Sequence, residues 1–184
     1  MSEQMLIDWY SQYFSTLFNY GVQISNNREL VKDCIQEVFI TLKLNPHLFC
    51  TIQSPKAYLF TVLRRNIIKE LKRESVSLDV YSFNAVLDIE PSHESLLIHE
   101  QIDLDFKYRL AKALKKLTNR QREAIFLKFY EGLSYQEVAE TMQLQDIKSA
   151  RNLIYKAIKQ LKSDFEINGV SMNLYILLSI LLLS

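Results

Sequence analysis

Glycine and proline are scarce, with 3 of each in 184 residues, against about 13 and about 9 at average usage. Hairpins and tight β-turns depend on these residues, so hairpin-rich β architectures are excluded and an all-α chain is expected. Cysteine is limited to Cys34 and Cys50. With no CxxC spacing and no nearby histidine pair, neither a disulfide framework nor a metal site is expected. The histidines, His47, His93 and His99, are scattered, and no glycine-rich phosphate loop is present. The chain therefore reads as a non-enzyme, with no cofactor and no small-molecule substrate. No uncharged run of signal-peptide length opens the chain, which points to a cytoplasmic protein. Charged residues at 23% and hydrophobic ones at 48% exclude wholesale disorder.

The formal net charge of +1 conceals a strong pattern. Residues 1–73 carry nine Lys/Arg and six Asp/Glu, residues 74–104 none and seven, and residues 105–165 thirteen and seven. Two basic blocks flank an acidic bridge. Such a layout suits a polyanion touched twice, with solvated helix faces as the plain alternative.

Hydrophobic periodicity predicts the elements. Met5, Leu6, Trp9, Tyr10, Tyr13, Phe14 and Leu17 mark a first helix, and Asn26-Asn27 ends it and can cap the next. Leu30, Val31, Cys34, Ile35, Val38, Phe39 and Leu42 form the stripe of a second helix, which stops at Asn45-Pro46. A loop from His47 to Gln53 is expected next. Ser54-Pro55 then opens a third helix reaching about Arg73. Residues 74–93 lack helical period and read as an extended linker, and helical pattern resumes from about Ser95 to Leu117. Thr118-x-x-Gln121 and Ser134-x-x-Glu137 are capping boxes for two further helices, the first closed at Glu131-Gly132 and the second at Met142. After a turn from Gln143 to Asp146, a long helix runs from Ile147 to about Phe165.

Three surfaces follow. The last two helices have helix-turn-helix form, with Ala150, Ile154, Ala157, Ile158 and Leu161 on the core side. Lys148, Ser149, Arg151, Asn152, Tyr155 and Lys156 lie opposite, as donors to phosphates and base edges near the helix start. An amphipathic hairpin with a wet basic face is the alternative. In the third helix Tyr58, Thr61, Arg65 and Lys69 share one face, with Arg64 beside it and Phe49, Thr51, Gln53 and Lys56 just upstream. Rings to stack bases and cations to hold the backbone suit single-stranded DNA, although Phe49 and Tyr58 would equally serve a core. The outer side of the second helix carries Asp33, Gln36, Glu37, Ile40 and Leu44, a mixed polar and apolar face that suits a protein partner.

These residues resemble a known family. Asp33-Cys-Ile-Gln-Glu-Val-Phe39 and Ser54-Pro-Lys-Ala-Tyr-Leu-Phe60 with Arg65-Asn66 resemble the polymerase-binding and −10-reading domain of bacterial sigma factors. Leu117-Thr-x-Arg-Gln-Arg-Glu-Ala-Ile-Phe126, Tyr130-Glu-Gly-Leu-Ser-Tyr-x-Glu-Val-Ala139 and Arg151-Asn-Leu-Ile-Tyr155 resemble their −35-reading domain. Two such domains in this order, with only a linker between, resemble the extracytoplasmic-function subfamily of the sigma-70 family, and the Arg151–Tyr155 stretch its Bacteroides-type members. The resemblance implies core RNA polymerase as partner for Asp33, Gln36, Glu37 and Ile40. It implies that the Phe49–Lys56 loop, with Tyr58, Thr61, Arg64, Arg65 and Lys69, holds the single-stranded −10 element. Lys148, Ser149, Arg151, Asn152, Tyr155 and Lys156 would read the −35 element as duplex, and an anti-sigma factor would be a further partner. The domains implied are 1–73 for polymerase and −10 DNA, 74–104 as an acidic linker threading a cationic path meant for RNA, 105–166 for −35 DNA, and 167–184 as an apolar tail.

Two features depart from the family pattern. Five residues separate Leu144 from Ala150, one more than usual, and Gln143 stands where a small residue is customary. The tail from Met172 to Ser184 is apolar over Leu174 to Leu183 except Ser179. As a helix it is too short to cross a bilayer, so it is expected to fold back on the chain or pass to a partner. Two other functions compete with the sigma reading. A helix-turn-helix regulator acting on duplex DNA without polymerase leaves the Asp33–Phe39 motif unexplained, and a protein-binding adaptor leaves the basic helices unexplained.

Overall fold

The computed structural model describes residues 2–74, 83 and 111–166. Every regular element among them is helical: α1 (Ser2–Ile24), α2 (Arg28–Leu44), α3 (Leu48–Thr51), α4 (Pro55–Glu74), α5 (Asn119–Ile125), α6 (Tyr135–Thr141) and α7 (Ile147–Glu166). Residues 111–116 are helical too, and a π-helical turn, Phe126–Tyr130, continues α5. No helix among the described residues is long and apolar enough to cross a membrane. The expected linker, apart from Phe83, and the apolar tail lie outside the described residues.

The described residues form two compact units, one of 2–74, 83 and 137–145, the other of 111–136 and 146–166. In the first, α1, α2 and α4 pack on one another. The expected stripe of α2 is its buried face, from Leu30 to Leu42. Asn27 caps that helix, its Oδ1 accepting from the Leu30 N–H at 3.1 Å. Gly21 lets the three helices meet closely, since a Cβ there would lie 2.5 Å from Val31 Cγ1 and 3.2 Å from Ile67 Cδ1. Tyr20 and Phe60 meet in the centre with ring centroids 4.8 Å apart and planes tilted by 39°, and Phe83, fully buried, closes on Tyr20 at 6.2 Å. That aromatic anchor lies inside the stretch expected to be an extended linker. Burying such a ring contributes about 1.5–3 kcal/mol.

The expected loop from His47 to Gln53 contains the single turn α3. Pro46 stops α2 and its carbonyl accepts from Phe49 N–H at 3.3 Å, while Leu48 C=O accepts from Ile52 N–H at 3.0 Å. A short helix thereby satisfies backbone groups that a plain loop would leave to water.

In the second unit, Thr118 and Gln121 form the expected capping box at the start of α5. Arg122 reinforces it by donating to the Leu117 and Lys115 carbonyls and to Asn119 Oδ1, which ties the end of 111–116 to the next helix. Gly132 ends this stretch at φ +72°, the left-handed conformation in which glycine carries no Cβ penalty. Helix α5 packs on α7, and Gln160 donates to the Lys116 carbonyl at 3.2 Å.

Candidate nucleic-acid and partner interfaces

The outer face of α2 is as the sequence predicts. Asp33, Gln36 and Glu37 are exposed, and Ile40 and Leu44 remain 56% and 74% accessible. Leu44 does not fold back to the core. Because seven residues on the other side already complete the buried stripe, nothing within α2 requires these two apolar side chains to be outside. Burial, followed by the Glu37, Glu70 and Asp33 carboxylates, pushes the Cys34 thiol up to about 12. The thiol therefore stays protonated at neutral pH, and Cys34 acts as a small apolar residue of the stripe.

The expected −10 surface is only partly assembled as an open face. Arg65 and Lys69 are exposed one turn apart on α4, and Thr51 and Gln53 are exposed upstream. Phe49 is half-buried with its ring 4.8 Å from Trp9, and Tyr58 is half-buried as well. Lys56 lies 5.9 Å from the Phe60 ring. Arg64 corrects the expectation that it flanks the DNA face, since it is only 7% exposed. The reason is its register: it shares the stripe of Ala57, Phe60 and Ile67, which the α4 core side buries.

Two hydroxyls of this surface are engaged inside the first unit. Ser54 Oγ donates to Glu137 Oε1 at 2.6 Å. Thr61 Oγ1 donates to the Ala57 carbonyl at 2.7 Å and lies 3.0 Å from Thr141 Oγ1. Thr141 itself is 1% exposed. The segment 137–141 was expected only as the first half of a helix-turn-helix. Nothing in the spacing of polar residues marks it as a cover for Ser54 and Thr61.

The α7 face is open. Lys148, Arg151, Asn152, Tyr155 and Lys156 are all exposed, and Tyr155 is 65% accessible. Ser149 is different: it is half-buried, and its backbone N–H and its hydroxyl both donate to Asp146 Oδ1 at 2.7 Å. Asp146 caps the helix at the position an aspartate before a helical run favours. The Ser149 hydroxyl and amide, with Lys148 nearby, hold this carboxyl below its usual range. Before the cap, Gln143 adopts φ 51°, and the Leu144 N–H reaches back to the Ala139 carbonyl at 2.8 Å. The longer turn thus bends through a left-handed residue where a small side chain is customary.

The sequence reading missed an aromatic cluster beside this face. The Tyr135 ring has Lys128 Nζ 4.8 Å and the Arg151 guanidinium carbon 5.4 Å from its centroid. Lys128 also donates to the Leu133 carbonyl at 2.9 Å. No periodic signal joins residues 128, 135 and 151, because they come from three separate elements.

Family profiles match at two places, "Sigma-70 region 2" over residues 9–76 and "Sigma-70, region 4" over residues 107–161. Together these cover about two thirds of the chain. The ECF RNA polymerase sigma factor SigX of Bacillus subtilis is 24% identical over 166 residues, 89% of this chain and 84% of the relative. The ECF RNA polymerase sigma factor SigK of Mycobacterium sp. (strain KMS) is 32% identical over 98 residues, 52% of this chain and 50% of the relative. Among solved structures, the sigma factor RpoE in complex with the anti-sigma factor NepR from Bartonella quintana shares the fold. Its TM-score is 0.57 at 24% identity, over 87% of this chain and 98% of that one.

Proposed function

The chain belongs to the sigma-70 family, of its extracytoplasmic-function kind, and from that premise we propose how its surfaces divide the work of promoter recognition. As a sigma factor it binds core RNA polymerase and directs it to promoters, where transcription starts. The observation that carries the division of labour is exposure. Asp33, Gln36, Glu37 and Ile40 stand outside a complete core stripe on α2, and the basic groups of α7 stand outside another.

The α2 face docks on core polymerase: carboxylates meet a cationic partner surface and Ile40 supplies apolar area at its centre. Helix α7 enters the major groove of the −35 element, with Arg151 and Asn152 at base edges and Lys148 and Lys156 on phosphates. Phe49, Thr51, Gln53, Lys56, Tyr58, Thr61, Arg65 and Lys69 take the unpaired −10 strand. Each stacked base is worth about 1–3 kcal/mol, so strand capture drives opening without nucleotide hydrolysis. Arg64, being buried, supports this surface from inside. The Arg151-Asn-Leu-Ile-Tyr155 stretch supports a finer placement among Bacteroides-type members. An anti-sigma factor belongs to the proposal, supported by the RpoE relative having been solved with one. Work on core polymerase also implies a cytoplasmic site of action.

The test adds the full chain to core polymerase and measures transcription from genomic fragments. Promoter-dependent transcripts that require the added chain are expected. A polymerase that gains no selectivity removes the proposal. Binding to duplex DNA with no effect on polymerase would instead favour a regulator acting alone.

A further inference from the structure

We infer that Tyr135 is a positioning residue for promoter recognition: its ring holds the Arg151 guanidinium in the orientation from which it meets the duplex. The inference rests on the reading of α7 as the duplex-reading helix. Arg151 is exposed on α7, a long cationic side chain that free in water samples many rotamers. A ring centroid 5.4 Å from its guanidinium carbon lies inside the ~6 Å range of cation–π attraction. The guanidinium over the ring leaves its N–H edges available for a forked contact with guanine O6 and N7 or with a phosphate.

The ring is itself held in place. Tyr135 is half-buried at the first residue of α6, and Lys128 lies 4.8 Å from the same centroid. Lys128 is anchored by its bond to the Leu133 carbonyl at 2.9 Å, so one cation is fixed by backbone and the other reaches outward. The negative ring face offsets repulsion between the two. Ordering Arg151 before DNA arrives removes part of the entropy that binding would otherwise lose. The expected consequence is sharper base discrimination at the position Arg151 contacts, more than a change in general affinity.

The experiment uses the full chain bound to core polymerase and a duplex library randomised over ten base pairs, read by selection and sequencing. Arg151→Ala should flatten base preference at one position. Tyr135→Leu should flatten the same position and weaken binding about two- to fivefold, while Tyr135→Phe, which keeps the ring, should retain the original preference. Phenylalanines of increasing fluorination at 135 keep the shape and drain electron density from the ring face. Discrimination should fall stepwise along that series even if Tyr135→Leu proves unstable. A flat series, or a Tyr135→Phe loss as large as that of Tyr135→Leu, overturns the inference while leaving the α7 reading intact. An Arg151→Ala variant with unchanged preference and affinity overturns the α7 reading, and the inference falls with it.

Discussion

Helices α4 and α7 are each 20 residues long and basic, yet they present their cations differently. The described core side of α7 is one narrow stripe, Ala150, Ile154, Ala157 and Leu161, each 0–1% exposed. Two of these four are alanines, so the helix sits close to its support, and its outer side exposes Lys148, Arg151, Asn152, Tyr155 and Lys156. Helix α4 buries Ala57, Leu59, Phe60, Val62, Leu63, Arg64 and Ile67, which leaves a strip. Part of that strip is occupied by Glu137 and Thr141. An exposed helix face suits insertion into the major groove of duplex DNA, which admits an α-helix. A strip with engaged hydroxyls suits a ligand that arrives later and exchanges one set of hydrogen bonds for another. Under the proposed division of work, the duplex-reading face stands exposed, whereas the strand-capturing face would exchange its bonds to residues 137–141 for bonds to DNA.

The largest expected effects separate the two helices directly. Asn152→Ala should cost about 1–3 kcal/mol in duplex binding and alter base preference. Lys148→Ala should weaken all duplexes alike and reduce the salt slope. Tyr58→Ala and Arg65→Ala should spare duplex binding and instead impair strand opening, read by permanganate reactivity of unpaired thymines. If all four variants weaken duplex binding equally, the contrast between the helices collapses.

A smaller effect tests the engaged strip. Glu137→Ala combined with Thr141→Val removes the acceptor of Ser54 and the hydroxyl facing Thr61. Each net hydrogen bond is worth about 0.5–1.5 kcal/mol, so binding of single-stranded DNA by the free chain should rise severalfold. Fluorescence anisotropy with a labelled oligonucleotide pool measures it, with duplex binding as the control. Unchanged or weaker single-strand binding by a folded double variant would mean that 137–141 does not mask the strip.

Much of this contrast was legible in the sequence. The α2 stripe, the caps at Asn27 and Thr118, the turn at Gly132 and the exposed groups of α7 all follow from local rules, because period and capping depend on neighbours within a few residues. The failures are non-local. Arg64 is a surface cation by residue type, but its register on α4 places it with Phe60 and Ile67. Phe83 lies in an acidic stretch without helical period, and its buried ring meets Tyr20 from 63 positions along the chain. The partners of Ser54 and Thr61 are 83 and 80 residues away, and Tyr135 joins cations from two other elements. Spacing cannot show such contacts. The bond from Ser149 to Asp146 is local, and the aspartate just before α7 is a visible cap signal for it.

Further along the scale lies the turn before α7. A non-glycine residue in the left-handed region carries a steric cost, and Gln143 sits there at φ 51°. Gln143→Gly should stabilise the chain by about 0.5–1 kcal/mol, seen as a melting temperature higher by about 1–4 °C. Because this turn precedes α7 and not α4, duplex binding should change no more than stability does. A lowered melting temperature would show that the Gln143 side chain contributes more than its backbone conformation costs.

The smallest effect concerns the cap that starts the open helix. Ser149 donates twice to Asp146, and these bonds, with Lys148 nearby, lower the carboxyl from its ordinary value of 3.8. A carboxyl that binds protons less readily when folded contributes stability that is complete above its unfolded value. That contribution is lost as pH falls through the lowered folded value. Acid should therefore loosen the first turn of α7, measured as a loss of amide-exchange protection at Ser149, relative to the intrinsic rate at each pH, below pH 3.8. Asp146→Asn keeps an acceptor oxygen without the charge, so it should retain the cap at neutral pH and lose this acid dependence. The Thr118–Gln121 cap of α5 is built from a hydroxyl and an amide, neither of which titrates in acid, and supplies the internal reference: its amides should show no such step. Equal acid sensitivity at both caps would assign the loosening to general acid unfolding and remove Asp146 from the account.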